Sequence, residues 1–269
     1  MLGSLIYGVL GMIEMGIKGT LPAYLAGSSD KFIGVSPTND LIYSNMMNVV
    51  WLVGLWFSVK VIHKRDLRTL VTKRSKIDWK QAAWGFGVFF GLMMAFQVLD
   101  FIVFPGDTVL NDFTWGAFFY LFLVVLLLVP IQTTVEELFF RGFLLQWFAK
   151  KIANPIVLSI IMAAIFGSLH FWNPEMGRSA VWVGMDYVFT GFMLTWIAVK
   201  MGSLELSIGA HAANNMFLFW FISDDQSVGG ELPAIFRVTD VNPLLSFLMT
   251  TAILIIFYTL SRRKYLAGK

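Results

Sequence analysis

Two adjacent carboxylates and an arginine follow a long apolar run near the middle of the chain. Glu136, Glu137 and Arg141 come shortly after residues 118–129. Each charge inside a membrane costs about 2.5–3.5 kcal/mol on insertion scales, so such residues are usually functional or paired. On a helix, Glu137 and Arg141 have the i,i+4 spacing of an ion pair. Glu136 projects about 100° away and is left free as a candidate general base. The alternative is a helix-end charge cluster at a membrane interface.

Two of the three histidines lie in later apolar segments. His170 shares a helix face with Phe166, and His211 shares one with Asn215, because each pair is four residues apart. His63 lies in a basic loop, where we expect it to be solvated. A single histidine in such a segment is more often a hydrogen-bonding partner between helices than a catalyst. A carboxylate, two histidines and an asparagine on three segments together indicate a hydrolytic site.

Peptide hydrolysis needs an activated water and donors aimed at the developing oxyanion. Glu136 with His170 could activate the water, while His211 and Asn215 could donate to the oxyanion. The chain has no His-Glu-x-x-His or Gly-x-Ser-x-Gly motif, and no cysteine that could act as a nucleophile. A metal is a second option, because Glu136, His170 and His211 would make a set of two histidines and one glutamate.

The elements that position these residues are predicted to be transmembrane helices. The chain is 57% hydrophobic and only 14% charged, against about a quarter charged in soluble domains. A span needs about 20 apolar residues. Eight segments fit: 2–21, 41–62, 80–104, 114–140, 154–172, 180–200, 205–222 and 244–261. We expect an all-α bundle of about eight transmembrane helices forming one domain, 1–269, with a catalytic core at about 115–220. Gly87-xxx-Gly91 fits either a close helix contact or ordinary glycine in a membrane helix.

The positive residues are unevenly distributed among the predicted loops. Residues 60–80 hold eight of the 20 Lys and Arg. If the spans alternate, the same side carries Lys150, Lys151, Lys200, Arg262, Arg263, Lys264 and Lys269. The opposite loops hold only Lys31, Arg178 and Arg237, with acidic residues from Asp30 to Asp240. This asymmetry predicts that both termini are cytoplasmic, and it indicates membrane topology rather than nucleic-acid binding. The N-terminus lacks the basic region of a cleaved signal peptide, and we expect a multi-pass protein of a prokaryotic plasma membrane.

Helix length creates a difficulty for a shared site. At about 1.5 Å per residue, Glu136 and His170 lie roughly 20–25 Å from the cytoplasmic lysines, whereas His211 lies nearer to that face. Bringing them together requires a tilted, kinked or shortened helix. Pro130 and Pro155 are candidate positions for a kink.

Three motifs in order carry a family resemblance. Glu136-Glu137-xxx-Arg141, Phe166-xxx-His170 and His211-xxx-Asn215 together resemble the CAAX-protease and bacteriocin-processing family, also called the Abi or CPBP family. The resemblance covers about residues 115–220. It implies an intramembrane glutamate protease with a conical cavity for a membrane-associated or lipidated peptide, within membrane lipid and without a metal. The family's catalytic positions would fall on Glu136, His170, His211 and Asn215, with Glu137 and Arg141 in support.

Two other functions compete with the protease. Some members of the resembling family are thought to act as non-catalytic membrane scaffolds in bacteriocin immunity or sensor regulation. A small transporter could use Glu136 and Asp186 as a proton relay, but the chain has no internal repeat of the kind that transporters show. The substrate and the oligomeric state are not fixed by the sequence.

Overall fold

The computed structural model describes residues 2–29 and 31–266. Asp30 and Lys269, which belong to the charge pattern, lie outside the described residues. The fold is nearly all-α, which confirms the predicted fold class. The three strands are each two or three residues long.

Within the described residues, eight long helices occupy the eight predicted segments. They are α1 (Leu2–Lys18), α2 (Pro37–Phe57), α3 (Trp79–Val103), α4 (Trp115–Glu137), α5 (Pro155–Ser168), α6 (Ala180–Met201), α7 (Glu205–Phe221) and α8 (Pro243–Tyr265). Short helical pieces lie between or beyond them: Leu21–Leu25, Ser58–Ile62, Arg68–Val71, Leu138–Leu144, Leu145–Phe148 and Pro174–Gly177. Ser58–Ile62 and Leu138–Leu144 are π-helical.

Five of these helices are long and apolar enough to cross a membrane. They include the continuous 34-residue helix Trp115–Phe148, which joins α4 to the two pieces that follow it. Helices α1, α5 and α7 are shorter, with 17, 14 and 17 residues. The chain is therefore a membrane protein, but the count of eight spans is not confirmed.

Capping side chains and prolines define where several helices begin. Ser36, Asn154 and Asn242 accept hydrogen bonds from backbone N–H groups in the first turns of α2, α5 and α8. A proline follows each cap directly, where its missing N–H costs no hydrogen bond. Pro155 therefore starts α5 rather than kinking it. The helix of α4 continues through Pro130 as far as Glu137.

The predicted external loops contact one another at one end of the bundle. Strands β1 (Thr108–Leu110), β2 (Ile222–Ser223) and β3 (Phe236–Val238) form a small sheet in the order β1-β3-β2. Strand β3 is antiparallel to β1 and parallel to β2. Lys31 pairs with Glu231 at 2.7 Å, and this ion pair raises the pKa of Lys31.

The predicted cytoplasmic loops contact one another at the other end. Thr72 forms a β-bridge with Ser203, and the guanidinium of Arg65 donates to the side-chain oxygen of Gln146 at 2.8 Å. The two loop sets thus segregate as alternating helices require. Which end faces the cytoplasm stays a prediction.

Helix α7 packs closely against α3. A Cβ added at Gly209 would lie 2.2 Å from the carbonyl oxygen of Ala82, and one added at Gly85 would lie 2.9 Å from that of Leu206. Only glycine allows two helix backbones to approach this closely. Gly87 and Gly91, for which the sequence left a close contact and ordinary glycine both open, face open space. They are therefore ordinary glycines of a membrane helix. A spacing of four marks one helix face without showing which face is buried.

Candidate active site

Glu137 and Arg141 form an ion pair at the end of α4. Glu137 ends this helix, and Arg141 lies in the π-helical turn that follows. The Arg141 guanidinium donates to Glu137 Oε1 at 3.0 Å, and both side chains are completely buried. Arg141 also reaches α6, where it donates to the Gly191 carbonyl and to the Thr195 hydroxyl, each at 3.4 Å. Buried charges are costly unless paired and hydrogen-bonded. These contacts engage the guanidinium and Glu137 Oε1, whereas Glu137 Oε2 is buried without a hydrogen-bond partner among the described residues.

His211 lies between the two glutamates. Its Nδ1 is 2.9 Å from Glu137 Oε1, and its Nε2 is 3.8 Å from Glu136 Oε2. Only 8% of the His211 side chain and 12% of the Glu136 side chain are exposed. Because an ionised carboxylate only accepts hydrogen bonds, Nδ1 is the donor to Glu137. Glu137 therefore binds Arg141 and also orients His211, a second contact that the sequence did not indicate.

A late start of α7 explains how His211 reaches the level of Glu136. A Cβ added at Gly142 would lie 3.5 Å from Leu204, so α7 begins beside Gly142. The long helix continues beyond that point to Phe148. Glu136 lies six residues before Gly142, about 9 Å away along the axis, and His211 lies seven residues after Leu204, about 10 Å in the same direction. The late start of α7 thus places the two residues at the same level.

His170 lies at the end of α5 on the far side of Phe166. The His170 Nδ1 is 2.8 Å from the Phe166 carbonyl oxygen. A carbonyl only accepts, so Nδ1 carries the proton and Nε2 keeps its lone pair in the neutral ring. Within the described residues, His170 forms no hydrogen bond or ion pair with Glu136. The Phe166 ring contacts both imidazoles, with its centroid 4.5 Å from that of His170 and 6.1 Å from that of His211.

Asn215 follows His211 by one turn of α7. Its Oδ1 accepts a hydrogen bond from Asn214 Nδ2 at 3.1 Å. The acceptor end of the Asn215 amide is thereby engaged, and the NH₂ end is the one that could face a substrate oxygen. The catalytic roles of Glu136, His170, His211 and Asn215 stay predictions.

Three polar residues near the site were missed by the sequence reasoning. Thr195 contacts Arg141, and Tyr187 stacks on His170 with ring centroids 4.7 Å apart. Neither has a spacing that could have identified it. Glu205 is completely buried at the start of α7 and accepts from Arg74 at 2.8 Å. An acid at the start of an apolar helix was the available signal for Glu205.

The described residues contain no group of three or more His, Asp or Glu side chains that could hold a metal ion. Glu136, His170 and His211 are therefore not gathered into such a group. A cavity of about 490 Å³ lies elsewhere, among loop residues that include Arg178, Asp224 and Arg237. The conical intramembrane cavity and the absence of a cofactor stay predictions.

Comparison with known proteins identifies the family. The sequence profile of the "Type II CAAX prenyl endopeptidase Rce1-like" family matches residues 115–217, which contain all three motifs. The chain belongs to the Rce1-like family. This confirms the resemblance to the CPBP family. The chain is also 43% identical over 228 residues to the uncharacterized protein YyaK of Bacillus subtilis (strain 168), covering 85% of this chain and 76% of that protein. No solved structure gives a significant match.

Membership of the Rce1-like family supports a protease of the CAAX type at the level of the family. With the apolar helices it also places the chain among membrane proteins. Because the relative in Bacillus subtilis is uncharacterized, the substrate and the catalytic details must be argued from the site itself.

Proposed function

We propose that the chain is an intramembrane endopeptidase that hydrolyses a peptide bond near the C-terminus of a membrane-associated or lipidated peptide or protein. The observation that carries this proposal is the placement of His211 between two carboxylates in a nearly dry site. Glu137 lies 2.9 Å from one ring nitrogen and Glu136 lies 3.8 Å from the other.

Charge balance is compatible with Glu136 as the base. If His211 is protonated, two carboxylates, one guanidinium and one imidazolium carry no net charge, and a neutral group is the least costly one to bury in a membrane. The extra proton then lies on His211 Nε2, because Nδ1 already donates to Glu137. In this proposed state Glu136 is the ionised carboxylate that a base must be, and His211 Nε2–H is a donor for an oxyanion.

The gap between Glu136 and His211 suits a reaction centre. An Nε2–Oε2 distance of 3.8 Å is too long for a direct hydrogen bond. A water placed beside this gap can lie about 2.8 Å from both atoms. His170 Nε2, left with its lone pair by the bond to Phe166, is a second acceptor for the water.

The proposed reaction proceeds in two steps. Glu136, helped by His170, takes a proton from water as the water oxygen bonds to the scissile carbonyl carbon. His211 Nε2–H and the Asn215 amide donate to the resulting oxyanion. The intermediate then collapses, the carbon–nitrogen bond breaks, and Glu136 gives its proton to the leaving amine. The products are a carboxylic acid and an amine, and the side chains return to their starting protonation states.

The surroundings of the site favour an apolar substrate. Glu136 lies in a helix that is long and apolar enough to span a membrane, and apolar side chains such as Leu123, Leu127 and Ile160 are exposed on the outside of the bundle. We therefore propose membrane lipid and a lipidated or hydrophobic peptide as partners, without nucleic acid. We further propose a prokaryotic plasma membrane with both termini in the cytoplasm. No step requires a metal.

Cleavage of fluorescence-quenched peptides by the purified protein tests the proposal. The peptides should include pairs with and without an isoprenylated C-terminal cysteine. We expect cleavage by the wild type, with preference for the lipidated member of each pair, and none by E136A. E231A is the matched control, because Glu231 is an exposed partner of Lys31 at the loop end of the bundle. Equal cleavage by wild type and E136A would rule out Glu136 as the base.

A non-catalytic scaffold would give a different result in cells. Glu136→Gln keeps the size of the side chain and its hydrogen-bonding capacity but removes the base. A scaffold phenotype would survive this change, whereas a proteolytic phenotype would be lost.

A further inference from the structure

The imidazole of His170 is held between two aromatic rings. The Phe166 ring lies 4.5 Å away at an interplanar angle of 41°, and the Tyr187 ring lies 4.7 Å away at 27°. Phe166 belongs to the same helix as His170, whereas Tyr187 belongs to α6. The bond from Nδ1 to the Phe166 carbonyl fixes one edge of the imidazole. Tyr187 is the contact that fixes its plane from a neighbouring helix.

Tyr187 is itself anchored at its hydroxyl. It donates to Glu175 Oε1 at 2.6 Å and accepts from Asn173 Nδ2 at 2.9 Å. Asn173 and Glu175 lie in the connection between α5 and α6, directly after His170. The tyrosine therefore links α6 to the segment that follows the histidine, and its hydroxyl cannot move away from that segment without breaking two hydrogen bonds.

We propose that Tyr187 is the positioning residue for His170. Its ring holds the imidazole in the orientation in which Nδ1 meets the Phe166 carbonyl and Nε2 keeps a lone pair for the reacting water. This role rests on the proposed function of His170. The second torsion of a histidine side chain has a broad energy profile, so one hydrogen bond alone leaves the ring free to tilt. A fixed imidazole keeps Nε2 of His170 oriented for the reaction. Holding a catalytic group in the productive orientation lowers the barrier of the catalysed reaction.

Simple packing by Tyr187 would predict a different pattern of mutant effects. Phenylalanine keeps the stacked ring and loses only the hydroxyl contacts, whereas methionine fills a similar volume without a planar face. If planarity matters, Y187F retains function and Y187M does not. If only volume matters, both variants behave alike.

Nitrogen-15 spectra of the histidine rings report the position of His170 directly. The chain has only three histidines, and H63Q and H211Q variants assign the signals. We expect one tautomer for His170, protonated at Nδ1, in the wild type and in Y187F. In Y187M the signal should average between tautomers. In peptide cleavage, Y187M should lower kcat about 10- to 100-fold with KM changed less than about twofold, while Y187F stays within about fivefold of the wild type.

The controls separate this proposal from the proposed function. Tyr258 is a half-buried tyrosine on α8 that contacts Trp196 away from the site, and Y258M should leave the His170 signal and kcat unchanged. Y187L replaces Y187M if the latter does not fold, as judged by thermal unfolding. An unchanged His170 signal and kcat in the folded variant would overturn the positioning role. A disturbed His170 signal with unchanged kcat would support the positioning role and refute the catalytic role of His170.

Discussion

Glu137 contacts both Arg141 and His211. We therefore expect its charge to contribute to stability through Arg141 and to catalysis through His211, as two separable effects. Glu137 and Arg141 are both completely buried, so E137Q or R141M alone leaves a charge without its main partner. Removing one member of a buried ion pair costs about 3–5 kcal/mol. The double variant E137Q/R141M removes both charges together, and replacing a buried pair by uncharged side chains is often neutral. We expect each single variant to lower the unfolding temperature and the double variant to recover most of that loss.

We expect the kcat values of the three variants to follow a different order from their unfolding temperatures. R141M keeps the carboxylate 2.9 Å from His211 Nδ1, and we expect its kcat to stay within about 10-fold of the wild type. E137Q can still accept a hydrogen bond but no longer compensates the charge of an imidazolium. By analogy with the loss of the carboxylate behind a catalytic histidine in serine proteases, kcat should fall on the order of 10²- to 10⁴-fold. The double variant should have the same low kcat despite its recovered stability.

Thermal unfolding in detergent and peptide cleavage, normalised to the folded fraction, measure the two quantities independently. The exposed pair Lys31–Glu231 supplies the control, because K31M/E231Q should change neither quantity appreciably. Recovery of kcat together with stability in E137Q/R141M would refute the reasoning, since it would mean that Glu137 acts only through Arg141.

Other parts of the fold give further predictions. G209A should lower the unfolding temperature strongly, because its Cβ would lie 2.2 Å from the Ala82 carbonyl oxygen, whereas G87A should be neutral because nothing lies near it; thermal unfolding of both variants compares them directly. E205Q should destabilise the protein by about 1–3 kcal/mol, since Arg74 is partly exposed and can be rehydrated while Glu205 is completely buried; a loss as large as that of E137Q would contradict this estimate. Cleavage should be insensitive to EDTA and 1,10-phenanthroline, and inactivation that is reversed by added zinc would contradict the metal-free reaction.

The composition of the chain and the length of its apolar runs were sufficient to predict the helices. Each of the eight predicted segments contains a helix, because apolar runs of this length have no other way to satisfy their backbone hydrogen bonds in lipid. Whether a helix spans the membrane is harder to predict, since α1, α5 and α7 are shorter than the apolar segments suggested. The sequence shows where apolar residues stop, but not how deep in the bundle a helix begins.

The site was predictable where its contacts are local and unpredictable where they cross helices. The spacing of Glu137 and Arg141 indicated their ion pair. The contact of Glu137 with His211 spans 74 residues, and no pattern along one helix can show it. Tyr187 was missed for the same reason. Aromatic residues are abundant in this chain, so a single tyrosine gives no signal until its neighbour from another helix is known.

The tandem order of the two acids explains why a single histidine can meet both. Consecutive residues of a helix project about 100° apart, and the two nitrogens of an imidazole lie on different edges of the ring. A histidine entering from an adjacent helix therefore meets one carboxylate at each nitrogen, as His211 does with Glu137 at Nδ1 and Glu136 at Nε2. With Glu137 alone, no base would lie beside Nε2. With Glu136 alone, neither Arg141 nor Nδ1 would have its anionic partner, so the candidate site depends on the adjacent pair rather than on either acid.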